Sequence, residues 1–414
     1  MSTTTPTAID VLTVAGHATH DDDEWLRVAQ RVAEQLAADV LERDRAGEPP
    51  HAPAALLRDA GLLRLIIPTQ RGGHGQPFRT ALAVVRQLAQ VDSGVARVLA
   101  YHLNFSGRLA GGLADPTAYE DFQRRVAEHE WLVGSTGSPQ DDELTLTPAD
   151  GGGWLINGVK SFATAAVVAD RIVGFALAPD DSGHRWLFEL DATRPELTFL
   201  DDWDILGQRQ SGSNGLELRD YRLAPEDLLG DIGSDEDPDK PAHRTIDVLS
   251  FQLVFIHLYL GISEGALLSA REYTRTRTRP WIHSGVDDAT QDPAILRIYG
   301  ELVARVQALR ALADRAQEAV AALYERGEEL TARERAEAAT LGAAAKVVAT
   351  QTVLEVTSRV FEATGARSAK RSVGLDLYWR NARTDTLHSP VAYKIDEVGR
   401  FFLNDTLPTP SAYR

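Results

Sequence analysis

Few residues in this chain carry reactive chemistry, and they stand far apart. There is no cysteine among the 414 residues, which removes disulfides, zinc thiolates, iron–sulfur clusters and cysteine nucleophiles. Redox chemistry would then have to be carried by a cofactor. The 11 histidines contain no His-x-x-x-His pair, and the one Gly-x-Ser-x-Gly run, Gly261-Ile-Ser-Glu-Gly265, falls inside a long helical pattern rather than at a strand-to-helix turn, so neither a histidine-built metal centre nor a Ser/His/Asp hydrolase is indicated and no metal is expected. An imidazole, with an unperturbed pKa of about 6.5, can give and take back a proton near neutrality. His102 and His388 could do so. Arg279, in the run Arg275-Thr-Arg-Thr-Arg-Pro-Trp281, has the forked guanidinium that grips a phosphate with two hydrogen bonds. Each has a plainer reading. His102 suits a satisfied core histidine on a well-packed helix, His388 before Ser389-Pro390 suits a helix-end cap, and the basic run suits a solvated helix end. Ser161 suits a hairpin hydroxyl and Trp203 a core position.

The elements that must position these residues read in the order α, β, α. Apolar residues recur at helical spacing from Asp22, through Trp25, Val28, Val32 and Leu36 to Leu41, with Asp21 to Asp23 at the start. A second helix is expected over 52–60 with Gly61 beyond its end, then a further helical stretch from Phe78 to about Leu113. Past Trp131 the pattern changes to short apolar stretches at 131–133, 144–146, 154–156, 172–176, 186–188, 197–199 and 216–218. Gly, Asp, Pro and Ser clusters separate them, as in a β-barrel or sandwich. An acidic connector follows over 230–240, without the glycine and glutamate spacing of a calcium loop. Long helical patterns then cover 242–276, 293–326 and 331–364, and a shorter one 375–387, which reads as a four-helix bundle. We therefore expect a mainly α protein with a central β-barrel domain: a flexible N-terminus (1–20), an N-terminal α-helical domain (21–128), a β domain (129–240), and a C-terminal four-helix bundle and tail (241–414).

The balance of 43 Lys+Arg against 60 Asp+Glu gives a formal charge of −17 and a pI near 5.1. That field repels nucleic acid and anionic membrane surfaces. The first thirty residues lack a basic n-region and a long apolar h-region, and no run of about 18 apolar residues occurs. A cytoplasmic protein acting on small molecules is expected.

Three blocks carry a resemblance. They are Leu62-Leu-Arg-Leu-Ile-Ile-Pro68 with Gly72-Gly-His-Gly75; Gly153-Trp-Leu-Ile-Asn-Gly-Val-Lys160-Ser-Phe-Ala-Thr; and Leu206-Gly-Gln-Arg-Gln-Ser-Gly-Ser213 with Leu216-Glu-Leu and Pro225-Glu-Asp-Leu-Leu-Gly230. In this order, and over about residues 25 to 405, the chain resembles the acyl-CoA dehydrogenase superfamily. Dehydrogenation there needs a carboxylate base aimed at the carbon next to the thioester. The segment that commonly holds it reads Arg380-Asn-Ala-Arg-Thr-Asp-Thr-Leu-His388-Ser-Pro-Val-Ala-Tyr-Lys394, and the alternative place reads Ser250-Phe-Gln-Leu-Val254. Neither has the glutamate. Tyr101-His102-Leu103, Lys160-Ser161-Phe162, Trp203, Arg279-Pro280-Trp281 with Ser284-Gly285-Val286, and Asn381 to His388 are instead similar to the flavin-dependent monooxygenase branch, the dibenzothiophene monooxygenase group.

That resemblance implies a homotetrameric, two-component enzyme taking FMNH2 from a separate NAD(P)H-dependent flavin reductase, with molecular oxygen as co-substrate. The stretch Phe361-Glu-Ala-Thr-Gly365-Ala-Arg-Ser departs from the run that holds FAD in other members, which favours FMN. A C4a-hydroperoxyflavin would then oxygenate a heteroatom, sulfur of an organosulfur compound first and nitrogen second, in a pocket shielded from water. The resemblance makes His388 the principal proton donor, with His102 and Ser161 orienting oxygen or substrate. It makes Ser135, Thr136, Gly137, Ser161, Trp203, Arg279 and Trp281 the flavin contacts. The rival readings are an acyl-CoA dehydrogenase with a displaced base, and a scaffold of the same fold without catalysis.

Overall fold

The computed structural model describes residues 20–414 except 139–140, 181, 235–236, 238, 412 and 414. The expected loose N-terminus up to residue 19 lies outside the described residues. Six helices come first: α1 (His20–Ala37), α2 (Val40–Ala46), α3 (His51–Asp59), α4 (Phe78–Ala89), α5 (Ser93–Gly107) and α6 (Thr117–His129). The helix read from Asp22 to Leu41 is two helices, broken at Ala38-Asp39. The stretch from Phe78 is likewise broken where the Asp92 carboxylate accepts the Val95 N–H at 3.0 Å and starts α5 anew. Gly61 adopts φ +73° past the end of α3, as its position predicts. Helix α5 is buried on every side from Ser93 to Ser106, so Tyr101, His102, Asn104 and Phe105 all point into protein.

Nine strands follow: β1 (Val133–Thr136), β2 (Leu144–Thr145), β3 (Thr147–Pro148), β4 (Trp154–Lys160), β5 (Arg171–Leu177), β6 (Arg185–Asp191), β7 (Leu197–Phe199), β8 (Leu216–Leu223) and β9 (Leu228–Gly233). They make two sheets, one ordered β1-β5-β6-β9 with β2 also on β5, the other β3-β4-β8-β7. Leu144, Ile156, Ile172, Phe188, Leu216 and Leu218 form one apolar cluster drawn from both sheets. No closure into a barrel is found among the described residues. Strand β1 runs parallel to β5 with Thr136 opposite Gly174. A Cβ at Gly174 would lie 2.6 Å from the Phe188 ring and 2.9 Å from Thr136 Cγ2, so glycine lets both approach. The first residues of the expected acidic connector belong to β9, because Leu229 is fully buried.

Three long helices, α7 (Asp247–Arg277), α8 (Pro293–Arg326) and α9 (Ala332–Thr364), pack on one another. Asp292 caps α8 and a Thr331/Glu334 capping box starts α9. The fourth place of the bundle is shared by α10 (Leu375–Asp385) and α11 (Val391–Asn404), both against α9. The sequence pattern did not predict α11. Residues 242–277 are long and apolar enough to cross a membrane, but 83% of their 18-residue apolar window is buried inside the protein.

Candidate active site

Where α5, β1, β5, the starts of α7 and α9 and the C-terminal tail converge, they enclose a cavity of about 830 Å³. Phe105, Phe175 and Phe251 line it, with ring centres 6.5 Å apart for Phe105–Phe175 and 5.9 Å for Phe105–Phe251. In this apolar wall two polar atoms are buried without a hydrogen-bond partner, Asn104 Oδ1 and Thr136 Oγ1. Buried polar atoms are normally satisfied, so two orphans on residues that line one cavity point to a ligand that satisfies them. Lys160, at the end of β4, also faces the cavity and is held by the carbonyls of Ser138 at 2.9 Å and Asp142 at 3.2 Å. The stretch Ser250 to Val254 carries no carboxylate, but one turn earlier Asp247 does face the cavity. Burial pushes its carboxyl up to about 6. Its two oxygens accept from Tyr324 Oη at 2.9 Å and Gly112 N at 2.8 Å, which ties it into the scaffold.

His388 lies in the turn between α10 and α11, its N–H bonded to the Asp385 carbonyl at 3.1 Å. Its ring packs on Phe255 at 4.3 Å and on the cavity-lining Phe251 at 6.1 Å between centres. Tyr413 of the tail approaches to 6.0 Å. The Nδ1 atom is buried with no partner. Desolvation first, and then the Arg97 and Lys346 cations, hold the imidazole well below the ordinary histidine range.

The other expected residues fall in three places. His102 is fully buried. Its Nε2 lies 2.7 Å from the Leu63 carbonyl oxygen and its Nδ1 accepts from Val133 N at 2.9 Å. This requires the tautomer with hydrogen on Nε2. Both nitrogens are engaged by backbone, and desolvation takes its pKa down to about 4, so in this structure neither is turned to a cavity and His102 ties α5 to the loop after α3 and to β1. Ser161 and Trp203 do come together, around a separate small cavity of about 190 Å³ with Phe162 and Ser213. Ser161 Oγ donates to Asp141 Oδ1, and its N–H to Asp141 Oδ2, each at 2.7 Å. Trp203 Nε1 donates to the Gln208 carbonyl at 3.1 Å. Lys160 lines the large cavity and Ser161 the small one, with the Asp141 carboxylate shared between them, 3.9 Å from Lys160 Nζ. Of the β1 segment, Thr136 and Gly137 line the large cavity, while Ser135 is buried with its N–H on the Thr164 carbonyl at 3.1 Å. Arg279 is exposed and Trp281 68% exposed, away from both cavities.

Residue pattern alone missed Asn104, Phe105, Phe175, Phe251 and the tail wall 407–411. Asn104 was within sight, two positions after His102 on a helix otherwise apolar in that stretch.

Comparison with known proteins bears on what this site serves. Residues 20–112 match the acyl-CoA dehydrogenase N-terminal domain and residues 253–393 its C-terminal domain. The chain is 37% identical to a dibenzothiophene monooxygenase of Mycolicibacterium goodii, covering 98% of this chain and 99% of that one. It is 35% identical to the "Probable FMNH2-dependent monooxygenase SfnC" of Pseudomonas putida, covering 94% and 97%. The crystal structure of FMN-bound TdsC from Paenibacillus sp. A11-2 superposes with a TM-score of 0.89 at 36% identity, covering 94% of this chain and all of that one. The chain belongs to the acyl-CoA dehydrogenase superfamily, in its flavin-dependent monooxygenase branch.

Proposed function

We propose that this chain is the oxygenase half of a two-component system, transferring one atom of dioxygen to the sulfur of an organosulfur compound. Nitrogen is the other heteroatom within the reach of such an oxygen donor. Reduced FMN comes from a separate NAD(P)H-dependent flavin reductase in the cytoplasm. The observation that carries the reading is the cavity of about 830 Å³, with three phenylalanines in its wall and, on the lining residues Asn104 and Thr136, an Oδ1 and an Oγ1 without a hydrogen-bond partner among the described residues. A flat ring system with polar edges fits such a wall. Bound reduced FMN supplies two electrons and, with dioxygen, the oxygen atom that the substrate receives, the second oxygen leaving as water.

The protein's own part is to bind, to shield and to handle protons. Thr136 and Gly137 lie along the flavin, with Ser135 holding their strand. Ser161 and Trp203 frame its far side through the small cavity they share. His388, behind Phe251, holds or returns a proton at its unpartnered Nδ1. Arg279 and Trp281 serve the FMN phosphate end of a second copy's site, since their exposure places them outside their own chain's cavities. That arrangement needs an oligomer, and a dimer of dimers accommodates it. Phe402 and Leu403 on α11, 88% and 78% exposed, supply apolar surface for its contacts.

The test is stopped-flow absorbance: protein mixed anaerobically with FMNH2, then with oxygen, without substrate. A slowly decaying species distinct from reduced and oxidised flavin is expected, with sulfides and thiophenes then screened as acceptors. Immediate conversion to oxidised flavin, together with reduction of an artificial acceptor by acyl-CoA, would return the dehydrogenase reading.

A further inference from the structure

Lys346 lines neither cavity, yet it is a deeply buried cation beside His388. Lysine occurs only at 160, 240, 346, 370 and 394, and Lys346 sits in the middle of α9 with 2% exposure. Its Nζ donates to Tyr259 Oη at 3.2 Å and lies 4.0 Å from the centre of the Phe255 ring. His388 packs on that same ring at 4.3 Å. Tyr259 Oη in turn donates to the Asp385 carbonyl at 2.9 Å, the oxygen that also accepts the His388 N–H. The turn bearing His388 is thereby tied to Lys346 through one tyrosine and one phenylalanine.

We propose that Lys346 is a positioning residue for His388, acting through the Phe255 ring and the Tyr259–Asp385 tie. The proposal rests on the reading of His388 as the proton-handling group. The charged and titratable groups around His388 come from every neighbouring element. Helix α5 brings Arg97 and Tyr101, α7 Tyr259, α9 Lys346, α10 Asp385 and the tail Tyr413, while α11 holds Lys394 paired to Glu397 at 3.0 Å. Asp385 pairs through Oδ1 with Arg97, whose Nη1 stands 2.5 Å away, while its Oδ2 is buried without a partner. Two cations therefore face one carboxylate, and a third positive charge on the imidazole is opposed. Burial lowers Lys346 itself to about 7. As pH falls through neutrality the cluster gives its next proton to Lys346, and the imidazole stays neutral. A neutral ring keeps Nδ1 able to accept a proton.

Histidine Cε1 resonances of the apoenzyme, followed by NMR from about pH 5 to 8.5, test this directly, with His388 assigned by its loss in His388→Gln. In the wild type His388 is expected not to titrate in that range, and in Lys346→Met to titrate with a midpoint at least about one unit higher than the wild-type limit. Lys346→Arg, which keeps the charge, is expected to silence the titration again. In the loaded enzyme the acid limb of oxygenation should move to higher pH in Lys346→Met, with the plateau above it kept within about threefold of wild type. An unchanged His388 resonance, or an equal loss of rate at every pH, overturns the proposal. Should Lys346→Met not fold, Tyr259→Phe removes the tie and keeps the ring; a smaller shift in the same direction is expected, and an unchanged spectrum is again fatal. If the resonance shifts but His388→Gln oxygenates as fast as wild type, the coupling stands and the reading of His388 fails instead.

Discussion

His102 and His388 are both imidazoles shut away from water, and both have pKa values lowered chiefly by desolvation. They differ in what their nitrogens do. His102 gives one to Leu63 and one to Val133, both backbone, and so joins three segments of the interior. His388 leaves Nδ1 without a partner beside aromatic rings, one of which lines the cavity. Burial is thus no guide to function here. Unspent hydrogen-bonding capacity against a cavity-lining ring is the guide, because an orphaned polar atom is tolerated where a ligand completes it.

The largest effect that would break this contrast is on His388. His388→Gln is expected to lower the oxygenation rate by about 10²–10⁴-fold, the range of a lost acid/base group. The thermal midpoint should hold, and flavin should still be oxidised without product. A rate within about threefold of wild type would remove His388 from the chemistry. His102→Ala should show the reverse pattern. It leaves a buried carbonyl and a buried N–H unpaired and opens a hole, a loss of about 3–5 kcal/mol read from the urea midpoint. Its activity per folded molecule should stay near wild type; a selective loss of rate without destabilisation would restore His102 to the catalytic set.

The three motif blocks, the order of helices and strands, and the segment bearing His388 were legible in the sequence, because they rest on local pattern. The role of His102 was not. Its partners are backbone atoms 39 and 31 residues away, and backbone carries no residue signature. Adjacent in sequence, Lys160 and Ser161 line different cavities, because the segments that complete each wall are distant in the chain and no local pattern names them. Two sheets and a barrel have the same short alternating strands, so pattern could not separate them. Lys346 was visible as a lone cation among Ala343, Ala344, Ala345, Val347 and Val348. Nothing in the chain order said that α9 would bring it to the turn after α10.

A third imidazole sharpens the contrast. His257 on α7 is 2% exposed, and both nitrogens lack partners among the described residues; like His388 it lines neither cavity, but no ring contact joins it to a cavity-lining residue as Phe251 joins His388. Desolvation and Arg86 take it down to about 3. A histidine lowered on folding is protonated first in the unfolded chain, so its penalty is absent above about pH 6.5 and grows as pH falls toward the folded value. At pH 5 that amounts to about 2 kcal/mol. His257→Leu is therefore expected to gain about that much over wild type between pH 7.5 and pH 5, measured by urea unfolding, with oxygenation unchanged. A parallel pair of stability curves would mean that His257 has a partner after all.

The smallest effect asks whether the cavity's orphans behave unlike that core orphan. Thr136→Val keeps the shape of the side chain on β1 beside Gly174 and deletes the unpartnered Oγ1 of a residue that lines the cavity. Were the atom merely an unpaired buried hydroxyl, as His257's nitrogens are unpaired, its removal would relieve a desolvation penalty and leave flavin binding alone. If a ligand satisfies it, the apoenzyme is stabilised or unchanged while FMN affinity falls by about 2- to 13-fold, the equivalent of one neutral hydrogen bond of about 0.5–1.5 kcal/mol. Fluorescence titration of FMN with the two proteins separates the cases, since the sign of the stability change and the loss of affinity are read independently. Only the second outcome lets unspent polar atoms at a cavity wall be told from unspent ones in a core.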